Sequence, residues 1–345
     1  MLKQLTYASD AQDLTMSALI AQQLQECERS LFSHPNYNLF SENITDFQVQ
    51  SLYETSYYSQ EEKISMPTLS KLREKVLQSM EQEFYFLGES EVSLLEKMVL
   101  NNGRVKLSIH DDIRAADALV KRLFCNFYEK NQNWYLCFPT CLHAKFLEIY
   151  NKDEYLEMRE KLNKFDNNIM AFLYIMGVVN ATPLISFFMK EMINQVDEVV
   201  YKLLIRYLKA NFKFQFDSEG QMILVHPGVA NVEKILSIQK KYVGETLELS
   251  QDMVDGAKDG ILYEEVALHN ALSASLLYVV RPEYNASEVA EDLRMLVKQG
   301  VNYEVVENVL KNHITINPNQ RILDLLDELY LFTPRLIGIT PAVIH

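Results

Sequence analysis

The same order of predicted elements occurs twice in the central part of the chain, and this repetition restricts the folds available to it. In the first copy, apolar spacing predicts a helix over 93–100. Ser108 and Asp111 then form a capping box that starts a second helix. An aromatic and apolar run at 134–138, closed by Pro139, has the composition of a strand. The first copy is therefore predicted as paired helices followed by strand structure.

The second copy repeats this order with one more helix. An apolar helix is predicted over 168–179, and Thr182 followed by Pro183 is typical of a helix start. A long helix over 197–210 and a hairpin over 212–225 follow. Helix, capped helix, helix and two-stranded wing is the order of a winged helix. We therefore predict two winged-helix-like modules in tandem, with two unrelated helical segments, each followed by a hairpin, as the alternative.

Both flanks of this central part are predicted to be helical. Amphipathic spacing indicates N-terminal helices over 11–32 and 67–86. After Gly228, helical segments with short connections are typical of a bundle. The predicted fold class is mainly α with small β-hairpins, and the predicted segments are an N-terminal helical region (1–90), winged-helix-like module 1 (91–160), winged-helix-like module 2 (161–250) and a C-terminal helical bundle (251–345).

The sequence contains no motif of a familiar enzyme class. With 10 glycines in 345 residues, it has no glycine-rich loop for a dinucleotide or a nucleoside triphosphate. It also lacks a nucleophile elbow and the HExxH pattern of zinc proteases. We therefore expect a non-enzymatic protein without a cofactor. An enzyme of unrecognised type, with catalytic residues scattered along the chain, is the alternative.

The lack of a recognisable targeting signal and the small number of cysteines favour a cytoplasmic protein. The N-terminus has no apolar core of a signal peptide. The longest apolar stretches are about 11 residues, short of the roughly 20 that span a bilayer, so we expect no membrane partner. Four cysteines are too few for a disulfide framework in a chain of this size. The sequence does not indicate an oligomeric state.

The net charge of −14 is concentrated at the two ends of the chain. Residues 1–90 carry 6 basic and 13 acidic side chains, and residues 251–345 carry 7 and 14. The intervening 160 residues carry 20 of each and are neutral. Acidic ends favour a protein partner over a nucleic acid, but charge repulsion does not exclude DNA from the neutral middle.

A basic stripe is the strongest candidate contact surface. Steps of four, three and four residues place Lys202, Arg206, Lys209 and Lys213 on one face of the predicted 197–213 helix. If this helix is the third helix of a winged module, the stripe lies where such helices meet DNA. The alternative is a solvated face of an amphipathic helix.

One group of residues has the chemistry of a zinc site. Thiolate and imidazole groups suit zinc, and Cys125, Cys137, Cys141 and His143 lie within 19 residues of one another. The spacing from Cys137 to Cys141 is not that of a compact zinc knuckle, and Cys125 lies on an apolar stripe. Packing of buried cysteines is therefore the preferred interpretation, with a metal site as the alternative.

Three stretches carry a resemblance to a known group. They are AFLYIMGVV (171–179), ILVHP (223–227) and LLDELYLFTP (325–334) followed by GITP (338–341). With these stretches, the chain from about 168 to the end resembles a loose group of Firmicutes proteins associated with the SEC-C zinc motif. The resemblance implies architecture and a bacterial or phage origin. The SEC-C motif itself is absent, since no cysteine follows Cys141.

These observations lead to three functional hypotheses. The first is a regulatory or adaptor protein that binds another macromolecule, a protein, through helical surfaces. The second is a DNA-binding transcriptional regulator that uses the 197–213 helix. The third is an enzyme of unrecognised type.

Overall fold

The computed structural model describes most of the chain between residues 31 and 341. The described residues are 31–32, 39–40, 44–61, 68–108, 112–130, 133–194, 197–229, 231–240, 246–247, 266–333 and 340–341. Contacts divide them into two compact units, each built from separate stretches of the chain. Unit 2 contains the described residues up to 162 together with those of 193–212, and unit 1 contains those of 163–192 and those from 213 onward. The units do not follow the four consecutive segments predicted from the sequence.

Unit 2 is a helical assembly built around one small sheet. Its elements are β1 (Leu31–Phe32), α1 (Asp46–Thr55), α2 (Tyr57–Glu61), α3 (Leu69–Tyr85), α4 (Glu89–Leu100), β2 (Arg104–Lys106), α5 (Ile113–Lys121), β3 (Asn126–Lys130), β4 (Asn133–Cys137), α6 (His143–Tyr150), the start of α7 (Asp153–Met176) and α9 (Glu198–Asn211). The sheet order is β1-β3-β4-β2, with β1 parallel to β3 and the other pairs antiparallel.

The inner face of this sheet closes a hydrophobic core. Phe127, Trp134 and Leu136 point into it, where they meet the apolar sides of the surrounding helices. Phe84 of α3 packs edge-on against Phe124 and Phe146, a geometry favoured by the charge distribution of aromatic rings. Burial of these large side chains is the main source of the stability of unit 2.

Unit 1 combines a second small sheet with a helical bundle. Its elements are the rest of α7, β5 (Val178–Asn180), α8 (Ala181–Phe187) with a π-helical turn over Phe188–Met192, β6 (Lys213–Phe216), β7 (Met222–Val225), α10 (Val232–Gln239), β8 (Thr246–Leu247), α11 (Val266–Leu276), α12 (Ala286–Lys298), α13 (Tyr303–His313), α14 (Gln320–Phe332) and β9 (Thr340–Pro341). The sheet order is β5-β7-β6, all antiparallel, and β8 pairs with β9 in parallel.

Helix α12 is the central element of unit 1 because it is buried on two sides. One side, represented by Val289, Leu293 and Val297, belongs to the apolar core shared by α11, α13 and α14. The other side faces the segment after β7, where Gln299 Nε2 donates a hydrogen bond to the Gly228 carbonyl at 2.8 Å. The bundle is thereby joined to the small sheet within the same unit.

The prediction of a mainly helical chain with small hairpins is confirmed, and the C-terminal helices agree closely with the sequence. Three predicted segments, 286–299, 302–313 and 319–331, correspond to α12, α13 and α14 within one or two residues. Two details of the predicted helices were wrong. The first is the start of the helix that was predicted to follow the capping box of Ser108 and Asp111. The second helix of the first module begins at Ile113, and its N-cap is Asp112, which accepts hydrogen bonds from two backbone N–H groups of α5.

The other difference is the extent of the apolar helix predicted over 168–179. Helix α7 begins earlier, at Asp153, and ends at Met176, where Gly177 adopts a positive φ of 74°. The chain then enters β5, and Asn180 rather than Thr182 caps α8. Glycine adopts this backbone conformation without a steric penalty, so it provides the turn from helix to strand. The predicted helix over 11–32 lies outside the described residues except for its last two, which form β1.

Among the described residues, no helix combines the length and apolar character required to cross a membrane.

Candidate functional site

The residues of the predicted basic stripe do not share one exposed helical face. Lys202, Arg206 and Lys209 lie on α9, whereas Lys213 is the first residue of β6. The helix ends at Asn211 because Phe212 turns to extended backbone. Lys202 Nζ lies 2.7 Å from Glu198 Oε1, one turn earlier on the same helix. The helix itself agrees with the predicted 197–210, and the assignment of Lys213 to the same helical face is wrong.

Arg206 is buried in unit 2, with only 6% of its surface exposed. Its guanidinium group forms an ion pair and hydrogen bond with Glu83 of α3. The guanidinium carbon also lies 5.5 Å from the ring centre of Tyr57 and 4.9 Å from that of Tyr58. These contacts assign Arg206 to the interior of unit 2, where it cannot reach a phosphate backbone.

Glu83 also binds a second buried arginine. Arg122 Nη1 donates to Glu83 Oε2 at 3.4 Å, and Arg122 Nε lies 3.2 Å from Glu91 Oε1. The other oxygen of Glu91 accepts from the Gly88 N–H at 2.8 Å, at the start of α4. We call Glu83, Glu91, Arg122 and Arg206 the buried charge network. It joins α3, α4 and α9 with Arg122, the residue that follows and caps α5.

The buried charge network is electrically balanced, with two carboxylates and two guanidinium groups. Burial raises the pKa of Glu91, and the nearby Arg122 opposes that rise. Burial also raises the pKa of Tyr57, which stays protonated at neutral pH. A charge taken out of water is tolerated when it is paired and hydrogen-bonded, as each charge is here. The arrangement serves to hold helices together.

The four candidate zinc ligands do not converge. Cys125 and Cys137 are buried, Cys141 is exposed, and burial raises the pKa of all three thiols, that of Cys137 to about 11. His143 instead stacks on the ring of Phe138 and places Nε2 3.2 Å from that residue's carbonyl oxygen. Within the part of the chain that the structure describes, no three His, Cys, Asp or Glu side chains are grouped to hold a metal ion.

Unit 1 contains a second polar cluster, which surrounds Tyr174 of α7. Arg294 of α12 donates to the Tyr174 hydroxyl, and Lys298 Nζ lies 3.9 Å from the centre of the same ring. Arg294 also pairs with Glu291, and burial lowers its pKa to about 10. An electron-rich aromatic face attracts cations, so the ring helps to hold two buried positive charges.

His226 lies beside this cluster, directly after β7. Its backbone N–H donates to the Gly177 carbonyl at 2.8 Å, and its Nδ1 accepts from the Gly228 N–H at 3.1 Å. Burial lowers the pKa of His226 to about 4, and the positive charges of Lys298 and Lys213 add to the shift. The imidazole is therefore neutral at physiological pH, and it fixes the turn that leads from β7 towards α10.

The exposed apolar residues are concentrated on the bundle of unit 1. Of 14 large apolar side chains that are exposed among the described residues, seven lie between 277 and 332. They are Leu277, Tyr278, Tyr284, Val305, Ile316, Leu331 and Phe332. Exposed apolar side chains concentrated in one part of a protein are typical of regions that bind other proteins. This bundle surface, formed by α13, α14 and the turns that follow α11 and α13, is the candidate functional site.

A short backbone pairing joins the turn after α11 to the turn after α13. Val280 and Ile314 form an antiparallel bridge, and the Thr315 N–H donates to the Val279 carbonyl at 2.8 Å. Tyr278 is 93% exposed.

Sequence reasoning did not find this site because apolar residues on a bundle helix are assigned to the core by default. The sequence did carry one signal, the pairs Leu277-Tyr278 and Leu331-Phe332 at helix ends, where the apolar stripe runs past the last covered turn. Comparison with known proteins adds no relative: no protein-family model, no curated protein and no solved structure matches this chain.

Proposed function

We propose that this chain is a non-enzymatic adaptor that binds another protein through the bundle surface of unit 1. The observation that carries the proposal is the concentration of seven exposed large apolar side chains between 277 and 332. Water contact with these side chains is unfavourable, so covering them on a partner favours association. The acidity of the C-terminal region, with 14 acidic and 7 basic residues over 251–345, directs the surface towards a protein with basic groups.

Affinity capture with the full chain tests this proposal. The bundle variant combines Tyr278→Glu, Ile316→Glu, Leu331→Glu and Phe332→Glu, all at exposed positions. We expect it to retain no more than about one tenth of the partner that the wild-type chain retains. A loss of about 1.4 kcal/mol of binding free energy is enough to weaken binding tenfold. Quantitative mass spectrometry of proteins retained from a lysate of the source cells measures the difference.

A matched variant of unit 2 serves as the control. It carries Phe47→Glu, Leu77→Glu and Leu100→Glu, which also replace exposed apolar side chains. It should retain the partner at the wild-type level, and far-ultraviolet circular dichroism should show both variants folded. Equal retention by the bundle variant would contradict the proposal, as would the absence of any retained protein.

We also propose that the two central modules are winged-helix-like. In support, the sheets β2-β4-β3 and β5-β7-β6 have the same order, in which the strand between two helices pairs with the second strand of the following hairpin. One departure weakens the analogy, because α5 alone stands where a winged helix has two helices. Another is that α9 belongs to unit 2, whereas β5, β6 and β7 belong to unit 1.

The DNA-binding alternative has less support, and a charge reversal on α9 separates it from the adaptor. Lys202 already pairs with Glu198 on its own helix, so we expect Lys202→Glu to change affinity for duplex DNA by less than about twofold. Fluorescence anisotropy across a salt series measures affinity and salt slope. The control is Lys311→Glu, because Lys311 forms a comparable pair with Glu307. A tenfold loss confined to Lys202→Glu, with a salt slope shallower by about 1, would favour DNA binding instead.

A further inference from the structure

The exposed side of α14 changes character along its length. Carboxylates occupy the middle of the helix at Asp324, Asp327 and Glu328, all of them exposed. Two apolar side chains end it, Leu331 at 74% and Phe332 at 70% exposure. Because 3.6 residues make one turn, Asp324, Asp327 and Leu331 lie along a single face, with Glu328 beside them. We call these five residues the α14 surface.

The α14 surface carries more negative charge than its three carboxylates supply. The carbonyl end of a helix carries a partial negative charge, and the last turn of α14 contains no basic residue that would offset it. One of its carboxylates is held in place, since Asp324 accepts from Gln320 Nε2 at 2.8 Å. Burial raises the pKa of Tyr303, and the nearby carboxylate of Asp327 raises it further. The negative charge is therefore positioned as well as exposed.

We propose that the α14 surface binds a cationic amphipathic helix of the partner protein. This inference rests on the proposed adaptor function and names the chemistry of the partner. Lysine or arginine side chains of such a helix would pair with Asp324, Asp327 and Glu328. Its apolar side would cover Leu331 and Phe332, in the mode by which amphipathic helices bind apolar surfaces.

Charge selects this occupant over two others. A second copy of the chain would bring the same carboxylates together, and each copy carries a net charge of −14. An anionic membrane surface would likewise repel the three carboxylates. A basic amphipathic helix would gain binding free energy from the negative end of α14, from the carboxylates and from the apolar contact.

A designed peptide is the probe for this surface. It is an 18-residue helix with leucines at spacings of three and four and lysines elsewhere, labelled for fluorescence anisotropy with the full chain. We expect Leu331→Ser combined with Phe332→Ser to weaken binding at least tenfold, because this change removes the apolar contact without adding charge. Neutralisation by Asp324→Asn combined with Glu328→Gln should weaken it several-fold at low salt and flatten its salt dependence. A peptide with glutamate in place of lysine should bind at least tenfold more weakly.

Matched variants of α1 control for non-specific attraction between a basic peptide and an acidic protein. This helix also carries an exposed apolar residue, Phe47, and exposed carboxylates at Asp46 and Glu54. Phe47→Ser, and separately Asp46→Asn combined with Glu54→Gln, should leave peptide affinity within twofold. Three results would overturn the inference: no binding by the wild-type chain, equal losses in the α1 and α14 variants, or a wild-type dimer that the α14 apolar variant converts to a monomer.

The cellular capture experiment separates this inference from the adaptor proposal. If the wild-type chain retains a partner and the Leu331→Ser, Phe332→Ser variant retains it equally, the α14 surface is not the contact and the adaptor proposal stands. If the wild-type chain retains no protein at all, the adaptor proposal fails. Retention that is lost in the α14 variant but not in Tyr278→Glu supports the assignment of the contact to α14.

Discussion

Replacing Glu83 with alanine is expected to destabilise unit 2 by about 3–5 kcal/mol, because it leaves Arg122 and Arg206 as buried charges without their shared carboxylate. Neither guanidinium group can move to water without opening the helices around it. Guanidinium chloride unfolding followed by tryptophan fluorescence measures the change. Trp134 is the only tryptophan of the chain and lies in the core of unit 2, so its emission reports this unit.

The neighbouring Glu81 provides the control on the same helix. It pairs with Lys152 and Lys145 at the surface, where water screens the charges. Glu81→Ala should therefore cost no more than about 1 kcal/mol. A cost of the same size for Glu81→Ala and Glu83→Ala would contradict the role of the buried charge network. Arg206→Met in the Glu83→Ala background should recover part of the loss, since it removes one of the orphaned charges.

The regular helices of the bundle could be predicted from the sequence because each has a sustained apolar period and a clear start. Helices α12 and α14 begin after asparagines whose side chains cap the first turn. The strands β2 and β5 could not be predicted in the same way. Each has three residues, which is too short for an alternating pattern to be recognised, and pairing with a distant hairpin stabilises both.

Arg206 illustrates why the candidate site was harder to predict than the fold. Its spacing from Lys202 and Lys209 is the same whether the face is solvated or buried, so helical period alone could not distinguish the two. Its partner Glu83 lies 123 residues earlier in the chain. A long-range ion pair of this kind leaves no local signal. The α14 surface was missed for the converse reason, because Leu331 and Phe332 continue an apolar pattern that the rest of the bundle does not cover.

A pH titration of stability is expected to reveal His226 as an acid-sensitive residue of unit 1. Its pKa is about 4 in the folded chain against an ordinary value of 6.5, so the unfolded chain binds the proton first as the pH falls. The stability that this residue contributes is complete above about pH 6.5 and is lost as the pH falls towards 4. The difference of 2.5 pH units corresponds to about 3 kcal/mol.

His226→Asn isolates this effect, because the asparagine side-chain oxygen can accept from the Gly228 N–H and takes up no proton. Urea unfolding between pH 7.5 and 4 should show the wild-type chain losing about 3 kcal/mol relative to the variant. Far-ultraviolet circular dichroism reports the unfolding of both units, whereas Trp134 emission reports only that of unit 2. The unfolding of unit 1 is therefore the change in circular dichroism that occurs without a change in Trp134 emission. Asp292, whose pKa burial raises to about 6, acts in the opposite direction, since its contribution is complete below about pH 3.8 and is lost as the pH rises through 6. Both chains contain Asp292, so its effect cancels in the difference. A wild-type-to-variant difference that stays constant with pH would show that His226 accepts a proton as readily in the folded chain as in the unfolded one.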